Sequence, residues 1–201
     1  MRIKSILFFI CLGCLLLTVG ACNNTETEMT IQPAELTAAE ENLLTLTAGN
    51  AAYIFDYTID ENAQSATLQT YQLDENNQWQ PLQSGRLSLS DTGGRIALCF
   101  DGVTPGISLS LQENNGDNFR SHQQTKPTTA EESNGESTSI LTAPISITYE
   151  KEIPLGIQVF SENGTLTSYD VSAFFAPAEY LAGDGQQVYA ATILFSQHPL
   201  E

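Results

Sequence analysis

Apolar and polar residues alternate with a period of two through much of the chain after residue 51. Tyr53, Phe55 and Tyr57 alternate within 51–58. Leu87 and Leu89 alternate with serines, Ile96, Leu98 and Phe100 with Ala97 and Cys99, and Ile107, Leu109 and Leu111 with Ser108 and Ser110. Successive side chains of a strand point to opposite faces, so each apolar set fills one face of a sheet and its partners the other. Segments 65–73 and 79–82 read as further strands. Asp60-Glu61-Asn62, Asp74-Glu75-Asn76-Asn77, Asp91-Thr92-Gly93-Gly94 and Asp101-Gly102-Val103-Thr104-Pro105-Gly106 supply the turn chemistry between them. The pattern returns with Ile145, Ile147 and Tyr149, then with Leu155, Ile157 and Val159. Glu162-Asn163-Gly164 predicts a tight hairpin with 166–171 as its second arm. Segment 187–195 is apolar on both faces, which predicts a buried, central strand whose neighbours include strands of the first half. Short strands with regular turns predict a mainly β fold: an antiparallel β-sandwich or open barrel.

Two segments break the period. Thr37-Ala38-Ala39-Glu40 has the spacing of a capping box, and Leu36, Ala39, Leu43 and Leu46 then recur at helical spacing, with Gly49 placed to end the helix. This predicts a short amphipathic helix over 38–47 lying on the β domain. Near the C-terminus, Pro177 suits the first position of a second short helix. Between the two β-rich halves, 51–111 and 140–195, residues 112–139 are nearly all Glu, Asn, Gly, Ser, Thr, Gln and Pro. Phe119 is the only large apolar residue there. Such a stretch buries too little to offset its ordering entropy, which predicts a disordered insertion or a linker. The expected organisation is one β-rich domain over 36–201 with that insertion, ending in a frayed tail from His198.

The first 21 residues have a different character. Arg2 and Lys4 precede an apolar run from Ile6 to Val19, followed by small residues and Cys22. A basic start, an apolar middle and a small-residue cut site form the pattern of a secretory signal. Val19-Gly20-Ala21-Cys22 resembles the lipobox of bacterial lipoproteins. The resemblance implies that residues 1–21 are a signal peptide and that Cys22 becomes the first mature residue. It also implies that Cys22 carries fatty acyl chains, palmitate among them, and holds the protein on the outer face of the cell membrane. Residues 22–35 then read as an acidic tether. No later apolar run approaches the length a membrane span requires. The features Thr37–Leu46 before Tyr53-Ile54-Phe55-Asp56-Tyr57, then Gly94-Arg95-Ile96-Ala97-Leu98, Glu152-Ile153-Pro154-Leu155 and Val188-Tyr189-Ala190-Ala191-Thr192 loosely resemble lipoproteins of clostridia-like Firmicutes. That likeness implies no activity.

Charge and cysteine usage narrow the chemistry. Residues 22–201 keep five basic against 24 acidic residues, a net charge of −19. This excludes a nucleic-acid partner and a domain lying flat on anionic lipid. Cys11 and Cys14 fall in the signal and Cys22 is the lipid site, so Cys99 has no partner for a disulfide within the mature chain and is expected as a small buried core residue. His122 and His198 fall on segments read as irregular, and there is no Gly-x-Ser-x-Gly, so no nucleophile–base pair is predicted. Clustered His and Cys for zinc are lacking, phosphate loops are lacking, and Glu113-Asn114-Asn115-Gly116-Asp117-Asn118 fails the calcium-loop pattern despite its oxygen donors. The expectation is therefore no enzyme, no metal and no cofactor, with Cys22 the one assigned site. Trp79, after a polar turn, is the aromatic to check for exposure. The function expected is that of a lipid-anchored binding or structural module of the cell envelope, with an envelope protein or glycan as partner. The alternatives are an enzyme or accessory subunit acting on envelope glycan, and a subunit docking beside a membrane transporter.

Overall fold

The computed structural model describes residues 28–48, 51–101, 106–124, 135–180 and 185–200. The signal 1–21, Cys22 and residues 23–27 of the tether lie outside the described residues. Among the described residues are eleven strands, one α-helix and two 3-10 helices, in this order: β1 Thr30–Pro33, α1 Ala38–Ala48, β2 Ala52–Thr58, β3 Ser65–Leu73, β4 Trp79–Ser88, β5 Gly93–Asp101, β6 Gly106–Glu113, β7 Asn118–Gln124, β8 Gly135–Ile140, β9 Ile145–Ser146, β10 Ile153–Ser161, the 3-10 helices Val171–Phe175 and Pro177–Glu179, and β11 Gln186–Ser196. They build two antiparallel sheets that pack as a sandwich, not a closed barrel. The first has the order β7-β6-β5-β2-β1-β9 and the second β4-β3-β11-β10-β8.

The alternation read from the sequence decides which side chains meet between the sheets. Phe55, Ile96, Leu98, Phe100, Ile107, Leu109 and Leu111 of the first sheet pack against Ala66, Leu68, Leu155, Ala191, Ile193 and Phe195 of the second. The two-sided apolar run is the central strand β11, with β3 from the first half on one edge and β10 on the other. Its odd-numbered residues from Tyr189 to Phe195 face the inter-sheet core, while Val188 and Ala190 face outward into a second apolar cluster. Gly156 sits at a register shift in β10, where an added Cβ would come within 2.7 Å of Leu98 Cδ2, so the approach of the two sheets there requires glycine.

Several expectations are corrected. The tether does not run to residue 35: Thr30–Pro33 is a strand between β2 and β9, and Ile31 is fully buried. A four-residue strand with one apolar residue carries no period to read. Residues 112–139 are not one disordered insertion. Gln112 and Glu113 end β6, Asn118–Gln124 pairs with β6, and Gly135–Ile140 pairs with β10; residues 125–134 lie outside the described residues. Both β7 and β8 are edge strands, which bury little and tolerate polar composition. His122 accordingly lies on a strand, opposite Ser108 in the register. Residues 166–171 form no hairpin arm, because both edges of β10 are taken by β11 and β8. The 79–82 strand runs on to Ser88, taking in Leu87, and only Ile145–Ser146 of the 145–149 alternation pairs as strand. Cys99 is half-buried on the outer face of β5 and not in the core, because the inward positions of that strand are Ile96, Leu98 and Phe100. The tail after Ser196 is tied back, with the Ser65 hydroxyl donating to the His198 carbonyl at 2.7 Å.

Candidate functional site

The outer face of the first sheet carries α1. Antiparallel register sets Asp56 beside Arg95 and Arg95 beside Gln112, and sets Ile54 beside Ala97 and Ala97 beside Ser110. Alternation turns these side chains away from the core. The helix begins as its sequence dictates: the Glu40 amide donates to Thr37 Oγ1 at 3.3 Å, while the Thr37 amide and hydroxyl donate to Glu40 Oε2 at 2.8 and 2.7 Å. The other oxygen of that carboxylate, Oε1, accepts Arg95 Nη1 at 2.5 Å, and Arg95 Nε donates to Asp56 Oδ1 at 2.9 Å. One capping glutamate thus both starts the helix and moors it to β5.

That mooring changes which face of α1 looks at the sheet. The apolar stripe read from the sequence, Leu36, Ala39, Leu43 and Leu46, faces the sheet only in part. Leu36 and Leu43 line the space above the sheet together with Glu40, Leu44 and Thr47, but Leu43 is still 63% and Leu46 84% exposed. The ion pair fixes the helix rotation and overrides the weak apolar period. The helix does not close on the sheet. A groove of about 470 Å³ remains between them, walled by Leu36, Leu43, Leu44 and Ile54 with Arg95 and Ala97 on its floor. This is the size and lining of a small-molecule site.

The electrostatics of the groove are set by these contacts. The Thr37 amide, then its hydroxyl, then Arg95 hold the Glu40 carboxyl down at about 2. Arg95 is pushed up, chiefly by its hydrogen bond to Glu40. All three groups of the Glu40–Arg95–Asp56 set are partly exposed.

Two further recesses differ in kind. One of about 250 Å³ lies between the β9–β10 connection and the first 3-10 helix, lined by Lys151, Glu152, Asp170 and Phe175 among others. Its carboxylates already have partners. Glu152 accepts the Tyr71 hydroxyl. Asp170 accepts the Ser172 amide at 2.9 Å, and the Ser172 hydroxyl, then that amide, hold Asp170 below the usual range. The other, about 440 Å³, is polar and lined by Asp74, Glu75, Gln80, Glu162 and Gln186 among others. Asp74 Oδ1 there accepts the amides of Asn76 and Gln78.

The remaining residues singled out in the sequence are spent on structure. In the 113–118 turn the buried Glu113 carboxylate accepts the Ser90 and Asp91 amides, each at 2.7 Å, and so caps the β4–β5 connection. Among the described residues no group of three or more His, Cys, Asp and Glu is placed to hold a metal. Trp79 is no exposed platform: it stacks on Phe174 at 5.2 Å and donates Nε1 to the Phe174 carbonyl at 2.8 Å. His198 lies in the tail, where its amide donates to Ser196 Oγ. The sequence reading found Thr37 and Glu40 as a helix start but missed Arg95 and Asp56 as their partners. Their signal was present: both fall at outward positions of alternating strands, and Arg95 is one of the few basic residues.

Family models, curated proteins and solved structures return no match to this chain. Fold and site together therefore define the class: an acidic antiparallel β-sandwich with a helix-roofed apolar groove on one outer face.

Proposed function

We propose that the chain is a lipid-anchored, extracytoplasmic binding module of the cell envelope, held by acyl chains on Cys22, and that the groove under α1 is its binding site. The observation that carries the binding reading is the groove itself: about 470 Å³ of mostly apolar space beneath a helix moored by one arginine between two carboxylates. The position of β1 supports a short tether, since only residues 23–29 separate Cys22 from the strand beginning at Thr30. Seven residues reach at most about 25 Å, so the domain would stay within one domain diameter of the bilayer.

The alternative, an enzyme or accessory acting on envelope glycan, has its best footing at the smaller recess beside Glu152, Asp170 and the 57%-exposed Phe175. Glycoside hydrolysis needs a carboxyl whose pKa is raised. Each described carboxyl with a clear shift (Glu40, Asp60, Asp74 and Asp170) is lowered instead, which favours the binding reading.

Two experiments test the proposal. Metabolic labelling with a fatty-acid probe should mark the wild type and lose its signal in Cys22→Ser; labelling that persists in the variant overturns the anchor. For the groove, titration of the mature chain carrying Cys22→Ser with 1-octanol should move the amide resonances of Leu44, Ile54, Arg95 and Ala97. Ala97→Phe, which fills the floor, should abolish those shifts. An absence of shifts in the unblocked chain, or shifts indifferent to Ala97→Phe, rejects the site.

A further inference from the structure

The Glu162-Asn163-Gly164 turn forms no hairpin, and it lies outside the groove under α1. The atoms around Asn163 give it a different use. We infer that Asn163-Gly164 is a self-modifying site, at which the chain's own backbone converts Asn163 to an aspartyl or isoaspartyl residue through a succinimide.

The Gly164 backbone nitrogen attacks Cγ of Asn163 and gives its proton to solvent. The Cγ–Nδ2 bond then breaks, ammonia leaves, and a five-membered imide closes. Water opens that ring at either carbonyl. The sum is one water consumed and one ammonia released, with nothing oxidised or reduced. Glycine in the second place has no side chain to obstruct the attack. At the tetrahedral stage the negative charge falls on Oδ1 of Asn163. Two donors already converge on that atom, the Ser161 hydroxyl and the Thr165 amide, each at 2.8 Å. Ser161 is fully buried at the end of β10, so its hydroxyl is in position before the charge forms, as in an oxyanion hole.

A second copy of the dipeptide, Asn115-Gly116, lies in an equally exposed turn but is held differently. Its Oδ1 accepts the Asp117 amide at 2.8 Å. Its leaving nitrogen, Nδ2, donates to Ser90 Oγ at 2.7 Å and to the Asp117 carboxylate at 3.4 Å. The Gly116 N–H, which would have to attack, donates to the Glu113 carbonyl at 3.0 Å. The Gly164 N–H donates to no described residue. One turn cradles the oxygen that takes up charge; the other ties down both nitrogens that must move. A third pair, Asn134-Gly135, has its asparagine outside the described residues. Asn163 stands beside Glu162 and Gly185, which line the polar recess, so the product carboxylate adds negative charge at its rim.

The test is to hold the mature chain carrying Cys22→Ser at neutral pH, folded and in urea, and to follow each asparagine by peptide mass spectrometry with isoaspartate resolved by chromatography. In the folded chain Asn163 should convert at least about tenfold faster than Asn115, since the Asn115 pair must first give up hydrogen bonds at both nitrogens. In urea the two rates should come together, because cradle and ties are both lost. Ser161→Ala should slow Asn163 in the folded chain by about fivefold, less than a donor is worth in a water-excluded oxyanion hole because this turn is open to solvent. It should leave Asn115, and both rates in urea, unchanged. If Asn115 converts as fast as Asn163 in the folded chain, or if Ser161→Ala leaves the folded Asn163 rate where it was, the inference fails. Should Ser161→Ala not fold, the parent chain decides alone: a ratio of the two rates that urea does not change also overturns it.

Discussion

On the outside of the second sheet, Phe174 and Tyr180 close over Ile157, Val159, Val188 and Ala190, with Tyr71 and Trp79 packed beside them. On the outside of the first sheet, α1 stands off Ile54 and Ala97 and leaves a groove. Both covers begin with a side-chain cap, Asp170 on the Ser172 amide in one and Thr37 on the Glu40 amide in the other. Beyond the cap the two diverge. Residues 171–180 supply aromatic rings that pack against others, with Trp79 and Phe174 at 5.2 Å and Tyr169 and Tyr180 at 4.3 Å. The helix turns Leu46 to solvent, leaves Leu43 largely exposed at the groove wall, and supplies a charged side chain to the sheet. A cover held by apolar packing is part of the core. A cover held by ion pairs and a cap can open without unfolding the sheet beneath it, because exposed pairs are individually weak. The sandwich has one face of each kind, and the groove proposed as the binding site lies under the looser one.

The largest effect should come from breaking the tight cover. Phe174→Ala removes a buried ring that meets Tyr71, Trp79 and Phe175 and should cost about 3 kcal/mol of global stability, read from the denaturant midpoint. Trp79→Phe keeps most of the packing but leaves the Phe174 carbonyl without its donor; a loss of about 1 kcal/mol is expected in the same measurement. Breaking the loose cover should look different in kind. Thr37→Ala removes the helix cap and should cost about 1 kcal/mol of helix stability. It should register as faster amide exchange in Ala38–Ala48, with the global midpoint almost unmoved. The smallest effect belongs to Leu46→Ser, within about 0.5 kcal/mol in either sense, since that side chain faces solvent.

Acid should separate the covers further. Glu40 titrates from a usual value of 4.5 down to about 2 in the folded chain. Folding of α1 onto the sheet favours its ionised form, so that contribution is complete above about pH 4.5 and is lost as pH falls through about 2. Asp170 is lowered too, but its cap is backed by stacked rings. Helical exchange should therefore quicken between pH 4.5 and 2 before the aromatic cover responds. Simultaneous loss of both would count against the distinction.

The same contrast explains what could be read from the chain. Strands with one buried face announce themselves: β5 and β6 alternate Ile96, Leu98, Phe100 and Ile107, Leu109, Leu111 because those residues fill the core. The two-sided run ending at Phe195 named the central strand for the same reason. Edge strands do not. Asn118–Gln124 and Gly135–Ile140 are polar because each is paired along one edge only, and their extended form comes from backbone pairing with β6 and β10, which leaves no periodic mark. The capping box was legible because it is local. The orientation of α1 was not, since it depends on Arg95, 55 residues from Glu40 in sequence. The hairpin signal Glu162-Asn163-Gly164 was overridden by β8, which holds the edge of β10 that a returning arm would need.

The central claim is that α1 is a separately opening roof, while residues 171–180 belong to the cooperative core. Amide hydrogen–deuterium exchange, resolved by residue at neutral pH and repeated with saturating 1-octanol, tests it directly. The expected result is exchange of the backbone-bonded amides of α1 at least about a hundredfold faster than those of β10 and β11, slowed by the ligand, with the Tyr180 amide protected to nearly the level of the strands. Equal protection in α1 and β11, both exchanging only through global unfolding and neither changed by ligand, would contradict it.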